Sequence, residues 1–314
     1  MKILVFGSCN IDLVYSVKSI VRPGETLAVG ELNQFPGGKG FNQAIAAARA
    51  SAQTVFAGCI GSDGEFLRRM LNEAGADTRS LLTVEGKTGQ ATIQVDEKGE
   101  NAILIYPGAN ARITREHIRS ALAGMERGDY LLLQNEINEL PYIVQCAAET
   151  GLRTVLNPSP FDESLRGIDL SKLECVILNE TEACAFARSG DPFDFIAQAG
   201  GLTDIVLTLG EGGSVYSHGG RTERCCAYKT SVIDTTAAGD TFTGYFIHAL
   251  LQGEAIQQAL KTAACASAIT VSRPGAGRSI PAAIAVSRQG AAASIPRKGE
   301  VAEWLKSAEP ITAR

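Results

Sequence analysis

The chain has 314 residues, which is long enough to bury the core of one α/β domain with an appendage. Its formal net charge is −5, so its composition shows no excess of basic residues that would indicate nucleic-acid binding. No apolar run reaches the ~18 residues of a membrane span, and the chain starts directly on a strand pattern rather than on a signal peptide. Its eight cysteines contain no C-x-x-C pair, which indicates buried thiols in the cytoplasm rather than a disulfide framework.

Short apolar runs alternate with longer segments of helical periodicity along most of the chain. Strand patterns cover residues 2–6, 54–59, 130–134, 154–156, 175–178 and 204–209, and helical patterns at 65–74, 141–150 and 241–251 fall between them. This alternation predicts an α/β fold of three layers, with a mostly parallel central sheet flanked by helices. Residues 13–33 and 88–106 instead alternate apolar and polar positions around turn residues, which predicts a small separate β-sheet.

The most informative run, residues 234–242, ends a polar turn and opens an apolar helical segment. A helix N-terminus presents unpaired N–H groups and a positive dipole end, and the small residues Ala237, Ala238 and Gly239 let an anion approach those amides. Asp240 follows directly, and a carboxylate beside a phosphate site suits a general base that takes a proton from the attacking hydroxyl. The alternative for Asp240 alone is a helix cap.

A second run, residues 35–44, places three glycines and a lysine directly before a helical pattern. Gly37, Gly38 and Gly40 permit close approach of the backbone to a ligand, and Lys39 and Asn42 offer donors suited to several hydroxyl groups. The alternative is a flexible loop with a helix cap. Neither run has P-loop spacing and no G-x-G-x-x-G follows a predicted strand, so a nucleotide site would need another architecture and a dinucleotide-dependent oxidoreductase is disfavoured.

Together these runs resemble the ribokinase-like (PfkB) family of sugar kinases, and the resemblance covers nearly the whole chain. Eight motifs appear in the family's order: residues 7–12, 37–42, 108–110, Glu136, residues 157–160, 179–182, 208–213 and 234–242. The resemblance implies the fold of that family, with residues of about 13–36 and 88–107 forming a lid over the sugar that also serves as a homodimer surface.

The resemblance also implies how the sugar is held. Its hydroxyl groups would contact Asn10, Asp12, Gly38, Lys39, Gly40, Asn42, Glu136 and Asp240. Asp12 alone also fits an Asx turn after the first strand. Glu136 alone also fits a surface helix cap, but it follows an apolar strand where open α/β sheets place their ligands.

The family pattern further implies catalytic, nucleotide and metal positions. Asp240 would be the base, and the amides of Ala237, Ala238 and Gly239 would stabilise the transferred phosphoryl group. ATP would be held by Asn179, Glu182, Thr208, Leu209, Gly210, Glu211, Gly212, Gly213 and Gly239, with Asn179 and Glu182 influencing Mg²⁺; the same pair also fits a capping box. K⁺ would be held by Asp234, Thr236, Thr270, Arg273, Gly275 and Ser279.

A tandem repeat lies near the C-terminus. Residues 268–281 and 283–296 match at ten of fourteen positions with an offset of fifteen residues. The segment occurs once in the family, where it helps to hold the monovalent cation. Because the first copy has the family spacing from Asp240, we expect it in the cation site and the second copy in a surface insertion. A closing helix is expected at residues 299–306.

The activity implied by the resemblance is ATP-dependent phosphorylation of D-ribose at its 5-hydroxyl, with the sugar and ATP as partners. Alternatives are another pentose, a ketohexose or a nucleoside as acceptor, and a sugar-binding regulator without catalysis. Three departures from the family pattern weaken the assignment of ribose as the acceptor more than they weaken the assignment of kinase activity. Ala264 stands where the family often has a histidine near adenine, Phe41 replaces a small residue in the glycine loop, and segment 188–201 is short.

Overall fold

The computed structural model describes residues 1–273 and 291–311. In chain order the strands are β1 (Ile3–Phe6), β2 (Asn10–Ser16), β3 (Glu31–Gly37), β4 (Thr54–Ile60), β5 (Asp77–Thr83), β6 (Gly89–Val95), β7 (Asn101–Tyr106), β8 (Tyr130–Gln134), β9 (Arg153–Asn157), β10 (Cys175–Asn179), β11 (Asp204–Thr208), β12 (Ser214–His218) and β13 (Arg221–Cys225). The helices are α1 (Lys39–Arg49), α2 (Glu65–Ala74), α3 (Arg115–Ala123), α4 (Leu140–Thr150), α5 (Glu180–Ala187), α6 (Phe193–Ala199), α7 (Ala238–Leu251), α8 (Ile256–Val271), α9 (Ala291–Ser294) and α10 (Lys298–Trp304).

The large sheet has the strand order β13-β12-β11-β10-β9-β8-β1-β4-β5. Its pairings are parallel from β5 to β11, and only β12 and β13 are antiparallel to their neighbours. Successive residues of a strand face opposite sides of a sheet, and β1 buries both sides: Ile3 and Val5 pack with α1, α7 and α8, whereas Leu4 and Phe6 pack with α3 and α4. The predicted three-layer α/β fold is confirmed.

The small sheet has the order β3-β2-β6-β7 and lies apart from the large one in strand pairing. Val14 and Phe35 form a small core on one face, with Ile93 and Val95 packed against them. Its outer strand β7 leaves large apolar side chains exposed, including Leu104 at 70%. The prediction of a small separate β-sheet is confirmed, while its role as a lid stays a prediction. Within the described parts of the chain, no helix combines the length and apolar character needed to cross a bilayer.

The end of the second repeat copy is part of the core. Ala292 and Ile295 are buried, and their carbonyl groups accept hydrogen bonds from Nη1 of Arg49, at 2.7 Å in the case of Ile295. The hydroxyl of Tyr245 donates to the Pro296 carbonyl at 2.7 Å. The expectation of a surface insertion is therefore wrong for residues 291–296, because the first copy supplies the end of α8 while the second supplies the buried segment before α10.

Candidate active site

The glycine loop fits closely against the carboxyl end of β1. Gly38 has φ of 96°, which favours glycine, and a Cβ on Gly40 would lie 2.6 Å from the Cα of Gly7. The amide of Phe41 donates to the Ser8 carbonyl at 2.9 Å. The glycines thus let α1 begin directly above β1, where open α/β sheets place their ligands.

Glu136 joins this loop to the end of β8. Its Oε2 accepts from the backbone N–H of Lys39 at 2.8 Å and from the hydroxyl of Ser8. Burial raises the pKa of the Glu136 carboxyl, opposed by the Ser8 hydrogen bond and the charge of Lys39. Glu136 is therefore fixed inside the loop and does not act as a surface cap.

Asp12 faces the same region from β2 of the small sheet. A Cβ on Gly37 would lie 2.2 Å from its Oδ2, so glycine makes room for this carboxyl. Burial, and secondarily the charge of Glu136, raises the pKa of Asp12 to about 7. The buried Asn10 nearby accepts a hydrogen bond from Nδ2 of Asn110 at 2.8 Å. Two carboxyl groups with raised pKa values and the buried amides form a polar surface that suits paired hydroxyl groups.

The side chain of Lys39 lies in the field of acids from several elements. Burial disfavours its ammonium group, but the carboxylates of Asp240, Glu136 and Glu182 outweigh burial and raise the pKa of Lys39 above its ordinary value. A lysine that stays charged here can offset the repulsion among these acids and attract an anion.

Asp240 lies in the first turn of α7, 8% exposed, with both carboxylate oxygens engaged. Nδ2 of Asn42 donates to Oδ2 at 3.1 Å, and Nε2 of Gln43 donates to Oδ1 at 2.9 Å. Oδ1 of Asn42 has no hydrogen-bond partner among the described residues. The arrangement holds the carboxylate in one orientation and leaves an amide oxygen for a ligand.

Gln43 is a site residue that the sequence analysis missed. It is fully buried, and its Oε1 accepts from Nε2 of Gln134 at 2.7 Å while its Nε2 also donates to Oδ1 of Asn157 at 2.9 Å. Nδ2 of Asn157 in turn donates to the carbonyl of Ile177. The chain of amides links Asp240 to the ends of β8, β9 and β10. A glutamine that directly follows Asn42 and precedes an alanine-rich, buried helical segment is the sequence signal that points to it.

The turn before α7 presents amides next to Asp240. Ala237 has φ of 60°, a left-handed conformation that turns the chain into the helix. Within the described chain, the amides of Ala237 and Gly239 have no acceptor, whereas the Ala238 amide donates to the Thr235 carbonyl at 3.2 Å. Two of the three expected amides are thus open to an anion, and Ala238 is engaged within the turn.

A cavity of about 510 Å³ opens beside this turn. Five predicted nucleotide residues line it together with Ala238: Thr208, Gly210, Glu211, Gly213 and Gly239. Leu209 and Gly212 belong to the same turn as the first four but do not line the cavity. Further lining residues come from segments without a motif, namely Tyr228, Lys229, Thr230, Val232 and Ile311, and Val271 comes from the first repeat copy. Because the open amide of Gly239 lies at the cavity wall, an anion bound there would be adjacent to Asp240.

Asn179 and Glu182 form the expected capping box at the start of α5. The Glu182 amide donates to Oδ1 of Asn179 at 2.9 Å, and the Asn179 amide donates to Oε2 of Glu182 at 3.1 Å. Glu182 is buried and its charge raises the pKa of Lys39. The pair is both a structural cap and part of the charged site.

The structure brings the two expected cation loops together. The amides of Ile233 and Asp234 donate to the carbonyl of Val271 at 2.7 and 3.2 Å, and the Thr236 amide donates to Oδ1 of Asp234 at 2.8 Å. The Thr270 carbonyl accepts from the Arg273 amide at 3.1 Å. Carboxylate and carbonyl oxygens here fit a hard cation. Gly275 and Ser279 lie outside the described residues.

Comparison with known proteins decides the family. The family model described as pfkB family carbohydrate kinase matches residues 1–283. The chain belongs to this family. It is 37% identical over 289 residues to a ribokinase of Haemophilus influenzae, covering 88% of this chain and 94% of the relative, and 30% identical to a deoxyribokinase of Salmonella typhi, covering 90% and 96%. The crystal structure of a Cryptococcus neoformans ribokinase in complex with ADP is similar with a TM-score of 0.79 at 33% identity, over 96% and 99% of the chains.

Two departures from the pfkB pattern have defined places. Ala264 lines the 510 Å³ cavity, so its small side chain leaves space where the resemblance leads us to expect a histidine. Phe41 is fully buried among the core residues under α7 and does not line that cavity. Phe41 thus contributes packing beneath the glycine loop.

Proposed function

We propose that this pfkB-family kinase transfers the γ-phosphoryl group of ATP to the 5-hydroxyl of D-ribose. The observation that carries the proposal is the position of Asp240, which contacts Asn42 of the glycine loop and follows the open amide of Gly239 at the wall of the large cavity. A base between a hydroxyl-binding loop and an anion-binding turn suits in-line phosphoryl transfer. Similarity to proteins named ribokinase supports ribose as the acceptor.

In this mechanism Asp12, Glu136 and Asn42 bind sugar hydroxyl groups and direct the reactive one at Asp240. Asp240 removes its proton as the sugar oxygen bonds to the γ-phosphorus and the bond from that phosphorus to the bridging oxygen breaks, which releases ADP. The fixed amides of Asn42 and Gln43 keep the carboxylate oxygens in place. The amides of Ala237 and Gly239 stabilise charge on the transferred group. Lys39 offsets the charge that several carboxylates bring to the site.

The metal positions extend the same proposal. Mg²⁺ would neutralise the charge of the ATP phosphates, with Asn179 and Glu182 orienting the surrounding groups. K⁺ would be held by the Asp234 carboxylate and by carbonyls of Thr236, Thr270 and Arg273, with Gly275 and Ser279 completing the expected set. A cation at these loops would tune the turn at residues 235–239 without contacting substrate, so we expect K⁺ to activate the enzyme and Na⁺ to replace it poorly.

We also propose a homodimer that associates through the exposed face of the small sheet, acting in the cytoplasm. Leu32, Leu104 and Tyr106 are exposed on the face of the sheet opposite to Val14 and Phe35, whereas Ile103 and Ile105 are exposed on the other face. Contiguous exposed apolar residues on an edge strand favour burial against another sheet. The eight unpaired cysteines agree with a reducing compartment.

Deoxyribose is a second candidate acceptor because a deoxyribokinase is among the relatives. A coupled ADP-release assay across ribose, deoxyribose, fructose, adenosine and pseudouridine separates the acceptors. We expect the highest kcat/KM with ribose, because a site built to hydrogen-bond a hydroxyl discriminates against an analogue that lacks it. A higher kcat/KM for deoxyribose or a nucleoside would overturn the ribose assignment, and ribose binding without ADP release from any acceptor would indicate the catalytically silent regulator.

A further inference from the structure

A second cavity, of about 220 Å³, lies between the end of α1, the end of α2 and the start of α10. Arg49, Ser51, Arg297 and Lys298 contribute its polar lining. The sugar-binding residues lie at the other end of α1, about 16 Å away for a helix of this length. The cavity is therefore separate from the substrate site.

The lining is cationic, although the chain as a whole carries a net charge of −5. Arg49, Arg297 and Lys298 contribute three positive groups, and no acidic residue lines the cavity. The nearest acid on α10, Glu300, is already engaged: its Oε1 pairs with Nη2 of Arg273 at 2.5 Å and its Oε2 accepts from the Arg297 amide at 2.7 Å. The three cations thus lack a carboxylate of their own within the described structure.

Arg49 is only partly satisfied by the protein. Its Nη1 donates to the carbonyls of Ala292 and Ile295, but its buried Nε has no hydrogen-bond partner among the described residues. A buried donor without an acceptor is costly, so the hydrogen bonds within the protein leave the Arg49 guanidinium group incompletely satisfied.

The titration behaviour of the neighbours agrees with a positive potential here. Burial, followed by the charge of Arg297, lowers the pKa of Arg49, with Arg273 adding to the effect and Tyr245 and Glu300 opposing it. Burial, followed by the charge of Lys298, lowers the pKa of His248 to about 4. Like charges that destabilise each other become favourable ligands once an anion lies among them.

We propose that this cavity binds a small dianion of the phosphate or phosphomonoester class. Arg49, Arg297 and Lys298 supply charge-assisted hydrogen bonds, and the exposed hydroxyl of Ser51 adds a neutral donor. The same Arg49 holds the carbonyls at 292 and 295, so bound anion stabilises the packing of the buried segment 291–296. The inference does not depend on the proposed kinase activity.

The test uses the full chain and a double variant, Arg297→Gln with Lys298→Gln, whose side chains are exposed and outside the core. The matched control is Arg221→Gln with Lys261→Gln, which changes the net charge equally at exposed positions elsewhere. Calorimetric titrations with inorganic phosphate and with ribose 5-phosphate are run at constant ionic strength. A nonhydrolysable ATP analogue with Mg²⁺ and ribose is present to occupy the substrate site.

We expect the wild type and the control variant to bind with equal affinity and the Arg297/Lys298 variant to bind about tenfold more weakly or worse. Thermal unfolding should show a phosphate-dependent rise in Tm that the double variant largely loses. Tighter binding of ribose 5-phosphate than of phosphate supports a phosphomonoester ligand, and the reverse order supports the free ion. Equal affinity in all three proteins, equal losses in both variants, or no binding beyond a chloride control would overturn the proposal.

Discussion

The proposed sugar side and the proposed nucleotide side of the site are built in different ways. On the sugar side, buried side chains hold one another, as where Asn42 and Gln43 engage both oxygens of Asp240. On the nucleotide side, a roomy cavity is lined by glycine backbone and by apolar residues such as Val232 and Val271. The first region fixes the orientation of the Asp240 carboxylate, whereas the second provides space and the open amide of Gly239. Substitutions on the sugar side should therefore lower kcat, and substitutions on the nucleotide side should raise KM for ATP.

The largest expected effect is that of Asp240→Asn. Loss of the general base should lower kcat by about two to four orders of magnitude, because proton removal contributes that much to such reactions. Ribose affinity, measured by calorimetry, should change little, since Asn keeps the size and one acceptor oxygen. Near-normal turnover in the variant would remove the base from the mechanism.

Gln43→Ala should lower kcat by about ten- to a hundredfold, since a misoriented catalytic group costs rate in this range. The KM for ribose should stay within about threefold because Gln43 contacts Asp240 and other amides rather than the sugar. Steady-state kinetics provide the measurement, and Gln145→Ala at the exposed surface of α4 is the matched control. A variant that loses ribose affinity at unchanged kcat would contradict a positioning role.

Ala264→Phe tests the proposed nucleotide side, where we expect a change in KM for ATP rather than in kcat. A large ring would fill part of the 510 Å³ cavity that Ala264 lines, so the KM for ATP should rise by about tenfold while the KM for ribose is retained. Initial rates at varied ATP and fixed ribose give the answer. An unchanged KM for ATP would place the nucleotide elsewhere.

The raised pKa of Asp12 gives a stability prediction whose sign depends on pH. Its pKa of about 7 lies above the ordinary 3.8, so the folded protein binds the proton more tightly than the unfolded chain does. The charge therefore destabilises the fold above pH 7, and this cost disappears as pH falls from 7 towards 4. Asp12→Asn should raise the free energy of unfolding at pH 8 by on the order of 1–3 kcal/mol, with little gain at pH 4. Urea unfolding at both pH values measures this, and a gain confined to pH 4 would contradict it.

The smallest effect is expected from deletion of residues 274–288, which joins Arg273 to Gln289 and restores a single copy of the repeat. Both the end of α8 and the buried segment 291–296 are kept, so the Tm should change by no more than a few degrees. Differential scanning calorimetry makes the comparison. A protein that no longer folds would show that the extra fifteen residues are required.

The sequence predicted the fold and the two main runs because their signals are local. Strand and helix periodicity predicted the layers. The runs around Gly38 and Asp240 each contain, within a few residues, the glycines, amides and polar side chains that indicate a binding site. Gln43 and Tyr228 were missed because neither belongs to a spacing rule: one acts through amides on other strands, and the other lies in an irregular segment that lines the cavity. The second repeat copy was wrongly expected at the surface because the two copies are so similar in sequence that either could occupy the one buried position.

The sequence by itself determined the three-layer arrangement, the family and the order of the chemical groups along the chain. These features depend on the hydrophobic pattern and on the backbone conformation of short segments, and both are specified by residues close together in the sequence. The tertiary structure decided which groups meet. It placed Asn42 and Gln43 on the carboxylate of Asp240, assigned the core position to residues 291–296, and gathered Arg49, Arg297 and Lys298 around one cavity. Such contacts join residues some 200 or more positions apart, and their geometry follows from packing of whole elements, which no local pattern specifies.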